Sequence, residues 1–333
     1  EHGFKKSKNE VHHLYKRLQG LVLVKFKKDC LDLPEKQYEE IQITPTVETL
    51  RAARLITETS PRAIQALTLL RELSDGFQYK ERADGTKTCP ECHGSCKVAM
   101  TIPVEQIDPQ APNIEAPAYS EKELLPCSYC NGTGSVPNYV RVTDEVFCPK
   151  DEYFINELDA HEECGRYIVW GGFTGTIDRL IRIAQKNTWA TLRVDGRGYV
   201  GEDALGNTID SDIFLDAMDL SHPKYSQLLE EYPKLCFVGH PQAGGMALTL
   251  TASPTSLYFS NSFDGTARPQ SEDRFHRAGM DLNRACTIKD FIHLPSDKLV
   301  LENLKQKKRL QNLSMGELKD AFVLGQKTVS RNY

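Results

Sequence analysis

A chain of 333 residues, 40% hydrophobic and 26% charged, has an ordinary globular composition and room for two or three domains. Its net charge of -5 excludes nucleic-acid binding through a global basic field and leaves only local basic patches. No apolar run is long enough to span a bilayer, and the N-terminal EHGFKKSKNE lacks the apolar core of a secretory signal, so no membrane association and a cytoplasmic location are expected. Glu1 in place of Met predicts a fragment or a processed chain.

Residues 1–83 read as a mixed, mostly helical region. LVLVKF (21–26) and LDLPEKQYEEIQI (31–43) suit strands, the second through the alternation of Tyr38, Ile41 and Ile43. Thr46 to Leu73 turns helical, with a break at which Ser60 is expected to cap a second helix and Pro61 to occupy its first turn. Residues 84–150 change character. Pro103, Pro109, Pro112, Pro117 and Pro126 predict an extended excursion, and cysteine pairs flank it, which marks an inserted module.

Residues 151–333 recover a repeating rhythm. RYIVWG (166–171), WATLRV (189–194), KLCFVG (234–239), SLYFS (256–260) and ACTIKDFIHL (285–294) read as strands. TGTIDRLIRIAQK (174–186) is an amphipathic helix with Ile177, Leu180, Ile181 and Ala184 on one face. Shorter helices are expected at 211–218 and 225–231. Strands alternating with helices predict an α/β fold, a parallel sheet with helices on both faces. The tail, 297–313, reads as a helix with Leu299, Leu301, Leu304 and Leu310 as core candidates. Its KQKKR (305–309) is either a solvated face or a contact for phosphate backbone.

Six of the ten cysteines lie between Cys89 and Cys148. CPEC (Cys89, Cys92) and CSYC (Cys127, Cys130) are each followed by small residues. Two such knuckles make a four-thiolate site of the kind Zn²⁺ prefers, with no open position for catalysis, so the zinc is structural. Cys96, His93 and Cys148 compete as ligands. Cys30, Cys164, Cys236 and Cys286 read as inert core thiols. The knuckles resemble the C-x-x-C-x-G-x-G repeats of the DnaJ chaperone family, with Cys96 at the last glycine of the first, and two knuckles where that family has four.

Arg274 and Arg277 lie three apart in QSEDRFHRAGM (270–280). On a helix they would share one face, where two guanidinium forks suit a polyphosphate, the alternative being a solvated Asp–Arg surface. Upstream, AGGMALTLTAS (243–253) places Gly244 and Gly245 in a turn after a strand. Thr249 and Thr251 follow, and both motifs are expected on one edge of the sheet.

These segments resemble the second RecA-like lobe of superfamily II helicases, in the Swi/Snf-type branch of double-stranded DNA translocases. AGGMALTLTAS resembles motif V (A-G-G-x-G-L-N-L-T-x-A), with Ala247 for Gly and Thr249 for Asn. QSEDRFHRAGM resembles motif VI (Q-x-x-D-R-x-H-R-x-G-Q), with Met280 for Gln. YIVWGGFTGTIDRL (167–180) is similar to motif IV. LRVDGRG (192–198) is similar to an L-D-G signature, and a turn or capping role is the plain alternative for its Asp195. LVKFKKDCLDLPEKQYEEIQI resembles the segment linking the two lobes (R-R-x-K-x-D-v-x-x-L-P-x-K). The resemblance implies that Arg274 and Arg277 are arginine fingers, that Gln270 and Asp273 orient them, and that Gly244, Gly245, Thr249 and Thr251 lie near ATP and the DNA backbone. It implies ATP and Mg²⁺ shared with an N-terminal RecA-like lobe, double-stranded DNA as partner, and a protein or nucleic-acid partner for the zinc module. The setting expected is a bacterial or phage-infected cell.

The chain contains no G-x-x-x-x-G-K-[ST] phosphate loop and no Gly-Lys dipeptide, and DEYF (151–154) does not follow an apolar strand. The sequence therefore reads as the C-terminal half of an ATPase, inactive without the first lobe. The alternative is a non-enzymatic zinc-containing nucleic-acid-binding or adaptor protein on a degenerate RecA-like scaffold.

Overall fold

The computed structural model describes Arg17 and residues 27–104, 119–243 and 248–305. LVLVKF, Gly244, Gly245, Ala247, Leu310 and all of KQKKR beyond Lys305 lie outside the described residues. The chain divides into two compact units, one made of the residues up to Gly76 and from Phe147, the other of Phe77–Val146.

The larger unit is built on an eight-stranded sheet. It opens with the short helix α1 (Lys27–Cys30), β1 (Lys36–Gln42), α2 (Val47–Thr59) and α3 (Ala63–Ser74). In the smaller unit follow β2 (Phe77–Thr88), β3 (Lys97–Val104), β4 (Tyr119–Pro126) and β5 (Ser135–Glu145). The larger unit resumes with α4 (Lys150–Ala160), β6 (Arg166–Trp170), α5 (Thr174–Lys186), β7 (Ala190–Asp195), β8 (Gly198–Glu202) and β9 (Thr208–Ile209). It ends with α6 (Ser211–Ala217), α7 (Tyr225–Glu231), β10 (Leu235–Gly239), β11 (Thr255–Tyr258), α8 (Ala267–Phe275), β12 (Cys286–Ile292) and α9 (Pro295–Lys305).

The sheet order is β1-β12-β11-β6-β10-β7-β8-β9. The first six strands pair in parallel, and β8 and β9 add an antiparallel edge. The expected parallel sheet is thus extended by a hairpin, because Asp195 turns the chain back: its carboxylate accepts from the Arg197 amide at 2.8 Å. This is the turn role. Arg193 and Arg197 also pair with the carboxylate, and with the Arg197 amide they offset its burial and hold it below the usual carboxylate range.

Central strands are apolar throughout because both faces are covered. Along β6, Ile168 and Trp170 point into a cluster with Phe214, Ala217, Leu228 and Phe275 of α6, α7 and α8. Tyr167 and Val169 point into the opposite cluster with Phe154 and Leu158 of α4 and Ile177, Leu180 and Ala184 of α5. Helices therefore cover both faces, as expected. A third cluster joins α2, α3 and α9 through Ala53, Leu67, Leu70 and Val300. Thr46 caps α2 by accepting from the Thr49 amide. Ser60 does not cap the next helix: it closes α2, its amide bonding the Ile56 carbonyl, and α3 starts two residues past Pro61. The sequence pattern does not predict α4, because its Cys-Pro-Lys entry resembles a loop.

The smaller unit is two antiparallel ribbons, β2 with β5 and β3 with β4. The Pro-rich excursion is thus laddered at its two ends.

Candidate functional site

Two sites follow from the sequence motifs, one in each unit. In the smaller unit, Cys89, Cys92, Cys127 and Cys130 are buried, with all four sulfurs within 4.8 Å of one another. The Cys89–Cys127 and Cys92–Cys130 sulfurs stand 3.8 and 3.7 Å apart. A disulfide needs about 2 Å, whereas a tetrahedral ion with metal–sulfur bonds of about 2.3 Å sets its ligands about 3.8 Å apart. The donor set fits a tetrahedral thiophilic ion.

The two knuckles are near copies. Each chain enters on an amide bonded across to the other: Cys89 to the Gly134 carbonyl and Cys127 to the Cys96 carbonyl, both at 2.9 Å. Ser95 and Thr133 play the same part, each hydroxyl bonding the carbonyl three residues before it and the one two residues on. His93 and Asn131, then Gly94 and Gly132, then Cys96 and Gly134, take matching left-handed conformations. The Gly134 amide donates to the Cys130 sulfur at 3.2 Å, the amide-to-sulfur approach for which a glycine-rich knuckle is suited. Of the competing ligands, Cys148 belongs to the larger unit, where its thiol bonds the Ser74 carbonyl, and Cys96 and His93 are outside the group of four. Cys236 and Cys286 are buried as expected, but Cys30 is exposed, because the four-residue α1 leaves it on the surface.

In the larger unit the arginine motif sits on α8, but the shared helix face does not form. The helix ends at Phe275, and Arg277 lies in the turn beyond it. The cause is local: His276 leaves helical geometry with ψ 77°, and Gly279 adopts φ 98°, where a Cβ would strike the Ser221 hydroxyl. The preceding motif bonds both residues instead, one through its main chain and one through its side chain. The Leu250 amide donates to the Arg274 carbonyl at 3.0 Å, and Arg277 Nη1 donates to the Leu248 carbonyl at 3.2 Å. Nor do the arginines share the edge at which β10 ends. As a crossover helix between parallel strands, α8 runs back toward the amino ends of β11 and β12, and residues 248–254 return the same way.

Gln270 and Asp273 are exposed, and Thr249 is half-buried. Thr251 is buried with its hydroxyl engaged, accepting from the Leu220 amide and donating to Asp219. Met280 packs in the core cluster of α6–α8. Behind the motif, Arg268 is buried and forks onto Asp290 at 2.6 and 2.7 Å, while its Nε meets Glu272 at 3.0 Å and its guanidinium lies over the Tyr258 ring. Burial works against that charge, and the Asp290 pairing outweighs it, so Arg268 stays firmly protonated. The sequence offered no signal for the Arg268–Asp290 pair: Arg268 stands in the polar stretch TARPQSED, and its partner lies 22 residues away.

Among known proteins, no family model matches the chain. Over 175 residues, 50% of its length, it is 25% identical to the CHD3-type chromatin-remodeling factor PICKLE of Arabidopsis thaliana, and the match spans only 11% of that protein. Among solved structures, the crystal structure of the C-terminal part of the Fun30 ATPase domain matches at 19% identity with a TM-score of 0.35, over 46% of this chain and 45% of that one. The chain thus has weak homology to a CHD3-type remodelling factor, and the Swi/Snf-type likeness holds at that level. No described helix is long and apolar enough to cross a membrane.

Proposed function

We propose that this chain is the second RecA-like lobe of an ATP-dependent double-stranded DNA translocase of the Swi/Snf type. ATP and Mg²⁺ would be held between it and a first lobe. The observation that supports this reading best is the pair of bonds joining residues 248–250 to the Arg274 main chain and to the Arg277 guanidinium, which holds both residues at one loop junction. Phosphoryl transfer is catalysed by positioning and by charge placed against the γ-phosphate, and arginines held by backbone bonds meet that need. In this reading Arg274 and Arg277 are the fingers. Gln270 and Asp273 orient them, and Gly244, Gly245, Thr249 and Thr251 lie by the nucleotide and the DNA backbone. The first lobe supplies the phosphate loop and the Mg²⁺ ligands, so the chain alone turns over no ATP. Cys89, Cys92, Cys127 and Cys130 hold a structural Zn²⁺.

The test is DNA-stimulated ATP hydrolysis by the protein that carries both lobes. Arg277→Ala should lower kcat by about 10³ or more while leaving binding of a fluorescent ATP analogue largely intact. Wild-type turnover in that variant rules out the finger role. Absence of any DNA-stimulated hydrolysis in the wild type favours the adaptor reading.

A further inference from the structure

One stretch of chain, residues 27–38, closes on the arginine-bearing end of α8. Lys27 Nζ donates to Asp273 Oδ1 at 2.9 Å and also to the His276 carbonyl. His276 Nε2 is 2.8 Å from the Pro34 carbonyl. Lys36 Nζ donates to Glu272 Oε2 at 2.9 Å and lies 4.0 Å from Asp273, and the Tyr38 hydroxyl donates to the same Glu272 oxygen at 3.0 Å. The last carbonyls of a helix carry negative partial charge, so Lys27 also meets the favourable end of the α8 dipole.

The grip is graded. Asp273 is 54% exposed and its pair with Lys27 is screened by solvent, whereas Glu272 is 8% exposed and Lys36 is 21% exposed. The inner pair is also continued into the protein. The other oxygen of Glu272 accepts from Arg268, and Arg268 forks onto Asp290 of β12. Lys36 begins the edge strand β1, in register with Cys286 at the start of β12. Glu272 therefore ties the strap, the arginine helix and the sheet into one ionic chain, two residues before Arg274.

We infer that residues 27–38 form a charged strap that sets the position of Arg274 and Arg277, with Lys36 and Glu272 as its positioning residues. The catalytic half of this inference rests on the finger role proposed above, and the structural half does not.

Two readouts separate the halves. Amide hydrogen exchange on the chain itself compares wild type with Lys36→Met and Lys36→Arg. Lys36→Met should speed exchange at Arg274–Met280 by about tenfold, with β6 amides unchanged as a control for folding, and Lys36→Arg should restore protection. Unchanged exchange in Lys36→Met overturns the strap. In the two-lobed protein, Lys36→Met should lower DNA-stimulated kcat about tenfold at constant KM for ATP, with recovery in Lys36→Arg. Loosened amides with wild-type kcat overturn the claim that the strap sets the arginines. A wild type with no DNA-stimulated hydrolysis defeats the finger reading instead, and exchange alone then decides the strap.

Discussion

The two units of this chain are held together by different physics. The larger unit buries apolar side chains on both faces of a central sheet and again between α2, α3 and α9. In the smaller unit, the cluster of buried side chains among the described residues is the four cysteines themselves, with Val98 and Val136 packed against them. Two-stranded ribbons are marginal in water, and a segment that cannot bury a core needs a metal or a cross-link. One unit derives its stability from apolar burial, and the other, in the reading proposed above, from ligands closing on an ion. The first should respond to packing and protonation, the second to metal.

The largest expected effect breaks the smaller unit alone. Removing the metal with a strong chelator, or Cys89→Ser with Cys127→Ser, should abolish amide protection along the β2–β5 and β3–β4 ladders. Structural zinc sites contribute on the order of 10 kcal/mol, more than such a unit can replace. The melting transition of the larger unit should stay in place. Full protection of the ladders in metal-free protein would show that the ribbons stand without the ion, and the contrast would fail.

The second effect belongs to the larger unit and is read by pH. Lys150 is fully buried, donating to Asp75 at 3.1 Å and to the Phe259 carbonyl at 2.9 Å, and lying 3.6 Å from Asp297. His293 sits beside it, its Nδ1 3.1 Å from the Ser74 carbonyl. Burial first, and the Lys150 charge second, push His293 down to about 4. The unfolded chain thus binds a proton on this residue that the folded one refuses, so stability rises with pH through that interval. It is fully present above about pH 6.5 and is lost as pH falls toward 4, by roughly 2–3 kcal/mol. Urea unfolding from pH 7 to 4.5 should show this slope, and His293→Gln should flatten it. An equal slope in the variant would assign the pH dependence elsewhere.

How far the sequence led follows the same division. Strands β6, β7, β10, β11 and β12 were legible because central parallel strands are apolar on both faces, and α5 because its apolar positions recur at helical spacing. The four cysteines were legible because metal chemistry dictates residue type and spacing together. The end of α8 was not: the chain leaves the helix at His276 and turns at Gly279, where Ser221 and residues 248–250, far away in sequence, close on it. The Lys150 cluster was equally hidden. A lone lysine after Cys-Pro carries no mark of burial, and its partners Asp75 and Asp297 come from opposite ends of the chain. What the sequence states locally could be read from it, and what depends on distant polar partners could not.

The smallest effect sharpens the comparison inside the four-cysteine unit, where one near-copied knuckle ends in a glycine and the other in a cysteine. Gly134 has φ 77°, and its counterpart Cys96 has φ 65°, a region in which a side chain costs about 1–2 kcal/mol. The Cys96 thiol lies outside the group of four, its Sγ 3.6 Å from the Gly94 carbonyl. Cys96→Gly should therefore keep the metal and relieve the strain. The freer unfolded chain takes back about 0.4–1 kcal/mol, so the net gain lies between about 0 and 1.6 kcal/mol. The opposite change should be worse than neutral, since a Cβ at Gly134 would meet the Cys96 sulfur at 2.8 Å and the Gly94 carbonyl at 3.0 Å. Gly134→Ala in the wild type should lower the chelator concentration that unfolds the unit, and in the Cys96→Gly background that penalty should shrink, because the sulfur it strikes is gone. A Cys96→Gly protein that binds its metal more weakly than wild type would mean that the thiol supports the ion after all, and that the knuckles are not equivalent.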